Sequence, residues 1–455
     1  MKGFQTINPS TSFPLSTYAF LNGEEIGESL QHSEEVYKSW RTREMDFKCD
    51  LLEKLAKLLT EQEETLAIEM TLEMGKPIKE SRSELRKCAW LCRYYAQEGP
   101  RFLRPQRVGA DLLFSTIRYD PIGAVLGIMP WNFPYWQVFR AAIPAIFAGN
   151  CFILKHAINV MGCAESIEEL FLEAGFPDHL FMNLAIRHED IGKLISTPHI
   201  AGVALTGSLK AGSIVAKLAG ENIKPCVLEL GGSDAFIVLE DCDIDGAVKA
   251  GVFSRMLNNG QSCIAAKRFL VQSSIYDSFL QKIVSEVSKI RVGDPLSETT
   301  QMGPMARSDL RDTLNTQVCR SVDEGATLEY VHPYDGQEGF FYPPRVMSNV
   351  TSAQPVFVEE TFGPALAISR IDDLSEAIRL SNQSSFGLGA TIWTDSHIDE
   401  ATLASLDVGT IAINGFVKSD PRLPFGGTKQ SGYGRELSQS GIRAFVNEKV
   451  ISRFI

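Results

Sequence analysis

The pattern of apolar and polar positions divides the chain into a helical beginning and two stretches in which strand and helix signatures alternate. From about residue 30 to 98 apolar residues recur at helical spacing, as in FKCDLLEKLAKLLTEQEETLAIEM, broken at GKP (75–77) and closing with YYAQEGP. From about 105 to 128 two short β-like runs, LLFSTIRYD and IGAVLGIM, separated by Asp120 and Pro121, predict a two-stranded hairpin. Then come CFILK (151–155), helix-like AESIEELFLEAG, LFMNLAI, a short polar helix, IAGVALTG (200–207) and helix-like SLKAGSIVAKLAG. A second alternating set starts at CVLEL (226–230) and runs through DAFIVL, a helix near 245–258, KRFLV and a helix at about 274–290. Such alternation predicts βαβ units and parallel sheets covered by helices, the first half reading as a doubly wound nucleotide-binding unit. The tail carries FGGTKQSGYGREL, helix-like SQSGIRAFV and strand-like KVISRFI. That last strand has no partner nearby in sequence and is expected to pair with the hairpin or with another subunit's sheet. No internal repeat or low-complexity linker interrupts the pattern.

Composition narrows the class. A chain of 455 residues exceeds one ordinary core and predicts two large domains, or two and a small appendage. Hydrophobic residues at 44% and charged residues at 22% are ordinary for a globular protein. A net charge of -12 argues against general attraction to nucleic acid or to an anionic membrane. No run reaches the roughly 18 apolar residues of a membrane helix, and the first 20 residues lack a secretory pattern, so a cytoplasmic location is expected. Nine cysteines in so long a chain suit free thiols in a reducing compartment. Cys88 and Cys92 are four apart on a helix, but no second Cys/His cluster follows at zinc spacing, so no metal is expected.

Several residues are chemically suggestive. The strand IAGVALTG enters a helix through Thr206, Gly207 and Ser208, and amides at such a helix start can hold a pyrophosphate. A plain strand-to-helix turn reads the same way. There is no GxGxxG, and the GxxxxG of Gly207 and Gly212 lacks the lysine of a P-loop, which excludes an ATPase of that type. Lys155 ends the strand CFILK on the usual ligand side of a parallel sheet, or is simply solvated. Cys263 lies in NNGQSCIAAKR, a polar, glycine-containing break where nearby amides would favour a thiolate; the bland reading is a bystander thiol. Glu229 is an acid in the apolar strand VLELGG, a setting that raises a carboxyl pKa and suits a general base, unless it pairs with an unseen cation. Asn132, in MPWNFPYWQ, offers an amide donor for an oxyanion, or forms a turn.

Together PWNFP (130–134), LTGS (205–208), LELGG (228–232), GQSC (260–263), EETFGP (359–364) and PFGGTKQSGYGREL (424–437) resemble the aldehyde dehydrogenase superfamily, in order and over nearly the whole chain. The resemblance implies an α/β protein. A Rossmann-like NAD(P)-binding domain would span 1–104 and 122–229, and an α/β catalytic domain 230–424. A small β oligomerisation arm, formed from 105–121 and 425–455, would build a homodimer or homotetramer. It also implies that the Cys263 thiolate attacks an aldehyde, that Asn132 and the Cys263 amide hold the oxyanion, that hydride leaves for nicotinamide, and that water activated by Glu229 hydrolyses the thioester. Met129, Pro130, Trp131, Lys155, Gly207, Ser208, Leu230, Glu360 and Phe362 would hold NAD or NADP. One departure is Ile158, where NAD-preferring members often carry a Glu three residues after the lysine; its absence removes repulsion toward a 2'-phosphate without adding a donor.

Within the superfamily, WQVFRAAIPAIFAGNCFILKHAINVMG and INGFVKSDPRLPFGG look like the short succinate-semialdehyde dehydrogenases. A guanidinium in the substrate funnel would clamp a distal carboxylate. Arg140 and Arg255 are the candidates, with Ser419 adding a hydroxyl. Leu257 stands where some semialdehyde enzymes carry a second Arg. Three rivals follow: a dehydrogenase for glutarate semialdehyde or for aldehydes in general, a CoA-acylating enzyme, for which Glu229 is out of keeping, and a non-enzymatic use of the fold, which Cys263, Glu229 and Asn132 together oppose.

Overall fold

The computed structural model describes residues 3–109, 114–334, 336 and 338–454. The helical beginning consists of Gly23–Trp40, Met45–Glu61, Glu63–Met74 and Ile78–Phe102. Asn22 starts the first helix with a reciprocal cap: its side chain accepts from the Glu24 and Glu25 amides, and the Glu25 carboxylate accepts from the Asn22 amide at 2.7 Å. In the second helix Leu51, Leu52, Leu55 and Leu59 form the buried stripe that packs on Ile78–Phe102. Ahead of these helices the strands Gly3–Ile7 and Pro14–Ala19 pair antiparallel. The hydrophobic pattern did not announce them, because Pro14–Ala19 is almost wholly exposed.

Two large sheets follow. The first has six strands in the order Gly432–Tyr433, Cys226–Glu229, Ile200–Thr206, Ala124–Ile128, Cys151–Lys155 and Phe181–Asn183, parallel except for the first. The chain runs outward from Ala124–Ile128 in one direction and resumes with Ile200–Thr206 on its other side. The carboxyl ends of these two neighbours therefore flank a topological switch point, where open α/β sheets bind ligands. The second sheet runs Thr327–Val331, Arg345–Ser348, Ala365–Ile371, Ala266–Gln272, Asp234–Val238, Gly389–Trp393 and Thr410–Ile413, with only the edge strand Thr327–Val331 antiparallel. Every residue of Asp234–Val238 and of Gly389–Trp393 is buried, as strands covered on both faces require.

A third sheet joins Val446–Arg453, Phe114–Pro121 and Gln106–Val108. KVISRFI thus finds its partner in the chain's own hairpin, in register from Val446 opposite Pro121 to Arg453 opposite Phe114. Two expectations are corrected. The hairpin is Gln106–Val108 with Phe114–Pro121, its turn lying outside the described residues, while IGAVLGIM is the central strand Ala124–Ile128 of the six-stranded sheet. A strand buried on both faces is as apolar as a hairpin strand, so the run alone did not tell them apart. Likewise 425–437 is not part of the arm: Thr428–Lys429 pairs with Phe386–Gly387 and Gly432–Tyr433 with Leu228 and Glu229, which ties the two large sheets together. Among the described residues no helix is long and apolar enough to cross a membrane.

Candidate active site

The segment carrying Cys263 descends from the helix Ile244–Met256 into the strand Ala266–Gln272. Before the cysteine, Asn258, Asn259 and Gly260 all take left-handed backbone conformations, with φ of 59°, 56° and 74°. Asparagine is among the few side-chain-bearing residues that tolerate this, and each one is tethered. The Asn258 amide donates to Glu80 Oε2 at 2.7 Å, and its Nδ2 donates to the main-chain oxygens of Asn132 at 2.7 Å and Gln261 at 3.0 Å. Asn259 Nδ2 donates to Gly75 O at 2.9 Å and Pro304 O at 2.8 Å. At Gly260 a Cβ would lie 2.5 Å from the carbonyl carbon of Gly363. After the cysteine, Lys267 Nζ donates to the main-chain oxygens of Cys263 at 2.7 Å and Ser262 at 2.9 Å. The paired glycines of LELGG let this segment dock on the first sheet, since a Cβ at Gly232 would stand 2.6 Å from Cys263 O.

Two cavities meet at Cys263. One, of about 210 Å³, sits at the switch point and is walled by Pro130, Trp131, Asn132, Gln137, Thr206, Gly207, Ser208, Leu230, Gly231, Leu310, Glu360 and Phe362. The other, of about 300 Å³, is a funnel between the helix Ile78–Phe102, the helix Trp136–Ala148 and the segment 416–425, and includes Arg140 and Ser419. Cys263 and Gln137 line both. The Oε1 of Gln137, buried, has no protein partner.

The first cavity suits a dinucleotide. Ser208 caps the helix Leu209–Glu221 through the Ala211 amide, leaving the first amides of that helix for an anion. Around Gly207 a side chain would meet only Leu205 Cδ2, at 3.7 Å, so there is room for a ligand to approach the backbone. Glu360 accepts the Gly232 amide at 2.9 Å and lies 3.8 Å from Lys267 Nζ, and Phe362 meets Trp131 edge-on at 5.8 Å between centroids. Met129 and Lys155 are joined through the Met129 amide and the Lys155 oxygen at 3.1 Å, at the carboxyl ends of adjacent strands. Both are buried and neither lines this cavity. Ile158 is 37% exposed in a short turn just beyond.

Asn132 Nδ2 gives one hydrogen to Gln261 O at 3.1 Å, leaving its second without an acceptor among the described residues, and Asn132 lines the cavity. Enclosure pushes the Cys263 thiol up to about 12, against the pull of Arg140 and Lys267. Desolvation outweighs the nearby cations here, so these surroundings do not by themselves favour the thiolate. Glu229 is also raised, well above the ordinary carboxylate range, first by burial and then by the charge of Glu436, while Arg140 and Arg435 oppose the rise. Neither Glu229 oxygen has a hydrogen-bond partner. Its carboxyl lines neither cavity and rests against Gly426, where a Cβ would come within 2.7 Å of Oε1.

The two arginines part company. Arg140 reaches the funnel wall but is ion-paired with Glu436, bonded to Thr206 Oγ1 at 3.3 Å and stacked 4.6 Å above Phe425. Arg255, expected in the funnel, is fully buried elsewhere. Its guanidinium bonds the main-chain oxygens of Ala365 at 2.6 Å, Thr361 at 3.1 Å and Gly363, under the loop that carries Phe362. Its position on the helix turns the side chain toward the second sheet. Sequence reading missed Glu84, which accepts the Tyr135 and Trp136 amides at 2.9 and 2.8 Å and so anchors the PWNFP turn. It also missed Lys87, Lys267 and Glu436. The acid ending YGRE was quoted only as motif, and nothing in the helical period of 78–102 marks Glu84 or Lys87 as facing a cavity.

A cysteine shared by a cavity suited to a dinucleotide and a separate funnel, with a buried acid behind it, is the arrangement of a dinucleotide-dependent oxidoreductase. Residues 1–451 match the aldehyde dehydrogenase family, and the chain belongs to it. Within that family it is similar to the Sad protein of Escherichia coli (strain K12), a succinate semialdehyde dehydrogenase using NAD(P)+, with 42% identity over 447 residues, 98% of this chain and 97% of that one. A probable NADP+ succinate-semialdehyde dehydrogenase of a Synechocystis species is 43% identical over 447 residues, covering 98% of both. Among solved structures, the succinic semialdehyde dehydrogenase of Streptococcus pyogenes in complex with NADP+ superposes with a TM-score of 0.97 at 35% identity, over 99% of this chain and all of that one.

Proposed function

We propose that this protein oxidises succinate semialdehyde to succinate with NAD or NADP. The observation that carries the reading is the convergence of both cavities on Cys263, one suited to a dinucleotide and the other a cation-lined funnel. The names of the similar enzymes support it. Cys263 gives up its thiol proton to solvent, its Sγ bonds to the aldehyde carbon as the C=O π bond opens, and the resulting oxyanion is received by the free N–H of Asn132 Nδ2 and by the Cys263 amide. A bound nicotinamide would supply the acceptor for the hydride lost from that carbon. Pro130, Trp131, Gly207, Ser208, Leu230, Glu360 and Phe362 hold the cofactor, with Met129 and Lys155 behind them. Ile158 presents neither an acid to repel a 2'-phosphate nor a donor to bind one, in keeping with use of both cofactors.

Cys263 then carries a thioester. Glu229, once ionised, takes a proton from water; the water oxygen bonds to the thioester carbon, the C–S bond breaks and the thiol is restored. To reach that water the Glu229 side chain turns away from Gly426, and no hydrogen bond holds either oxygen back. This hydrolytic equipment disfavours acyl transfer to CoA. Arg140 and Ser419 line the funnel and contribute to recognition of the substrate carboxylate. Free thiols throughout suit the cytoplasm. The strand Val446–Arg453, with Val450 and Ile451 exposed, suits assembly of two or four copies.

The test is initial-rate kinetics with succinate semialdehyde, glutarate semialdehyde and butanal, each with NAD and NADP. The reading expects succinate semialdehyde to be preferred and both cofactors to work. Equal efficiency on butanal would leave a general aldehyde dehydrogenase.

A further inference from the structure

The funnel's recognised cation is already neutralised: Arg140 is held by Glu436 inside the protein. A second cation in the same wall is not. Lys87 projects from the helix Ile78–Phe102 one turn after Glu84, and burial lowers its ammonium to about 8. It lies 4.2 Å above the ring of Trp136 and donates to Ser419 Oγ at 2.7 Å. It forms no ion pair with a carboxylate among the described residues, and two of its three N–H bonds remain available. The other funnel lysines, Lys79 and Lys418, are exposed at the mouth.

Ser419 completes the arrangement. Its Oγ accepts from Lys87 Nζ and also from Trp136 Nε1, at 3.1 Å. With both lone pairs taken, the hydroxyl proton is left to donate, and no acceptor for it is present among the described residues. An ammonium with spare donors beside a hydroxyl obliged to donate is a receptor for an anion with two acceptor oxygens, and the cavity that holds it opens on Cys263.

We propose that Lys87, with Ser419 as its hydroxyl partner, receives the distal carboxylate of the aldehyde and sets the preference for a semialdehyde over an uncharged aldehyde. This rests on the functional reading above and names the residue that gives it selectivity. Trp136, its Nε1 on Ser419 and its face under Lys87, fixes both groups. Arg140, paired with Glu436, lines the same funnel and leaves the complementary charge to Lys87.

The test compares wild type, Lys87→Met, Lys87→Arg and Ser419→Ala on succinate semialdehyde and butanal. In Lys87→Met the ratio of kcat/KM for succinate semialdehyde to that for butanal falls about 10- to 100-fold, the range of a lost charge-assisted hydrogen bond, and the loss is in KM. Lys87→Arg recovers most of the ratio, and Ser419→Ala loses a smaller part. The pH profile separates binding from structure. The groups facing Lys87 are Glu84 and Cys88 on its own helix, Arg140 opposite and Asp420 in the following loop. Wild-type KM for succinate semialdehyde therefore rises as pH passes about 8, and this rise is absent in Lys87→Arg, whose cation persists. If wild type prefers succinate semialdehyde and Lys87→Met keeps the full preference, the Lys87 assignment is wrong and the functional reading stands. If wild type shows no preference, that reading fails and the assignment with it.

Discussion

The two cavities that meet at Cys263 are built in different ways. The dinucleotide side is made of turns: the loop after Ala124–Ile128, the loop after Ile200–Thr206 and the LELGG corner, where backbone and small residues make the surface. The funnel is made of side chains from elements far apart in sequence, the helix Ile78–Phe102, the helix Trp136–Ala148 and the segment 416–425. A turn needs particular residues in a row, so it leaves a motif. A wall assembled from one residue per helical turn leaves none.

Predictions follow this division. The largest effect is at the junction, where Cys263→Ala removes the proposed nucleophile on which both cavities converge and lowers turnover by more than about 10⁴-fold, read by steady-state rate, with cofactor binding retained. Asn132→Ala removes a donor whose other hydrogen is spent on Gln261, and lowers kcat by about 100- to 1,000-fold. Arg255 tests the division itself. Because its guanidinium underlies the Phe362 loop, Arg255→Met destabilises the fold by about 3 kcal/mol, measured by chemical denaturation. In the surviving protein it raises KM for the cofactor and leaves the ratio between succinate semialdehyde and butanal in place; a shift in that ratio would return Arg255 to the funnel.

The smallest effect is in pH. Burial and Glu436 raise Glu229, so its basic form is scarce at low pH and grows as pH rises. A hydrolysis-limited kcat therefore climbs with rising pH by at most about tenfold per unit, until Glu229 is ionised. The climb is read by steady-state kcat of the wild-type enzyme against pH.

The same contrast explains what the sequence could be made to tell. The alternation of strand and helix patterns located most strands of the six-stranded sheet and, in the seven-stranded one, Asp234–Val238 and Ala266–Gln272, because periods of two and 3.6 are local properties. Cys263, Asn132 and Glu229 stood out as candidates in the sequence because each sits in a turn or strand end with its own signature. The strand Pro14–Ala19 was not, being polar and solvent-facing, and Ala124–Ile128 was misassigned because its apolar run carries no record of which sheet it enters. Arg255 drew attention by its charge and its nearness to Cys263 in the chain. The helix carries it to the opposite face, whereas Lys87, 176 positions before Cys263, reaches the funnel. Proximity in sequence was the wrong guide for side chains, and a sound one for turns.

The central claim, a covalent cysteine intermediate released by a buried acid, is tested most directly in Glu229→Gln mixed with succinate semialdehyde and NADP. A burst of one equivalent of NADPH per site, followed by stalled turnover and a succinyl group on Cys263 by mass spectrometry, is the predicted result. Full steady-state rate with no burst and an unmodified Cys263 would contradict it.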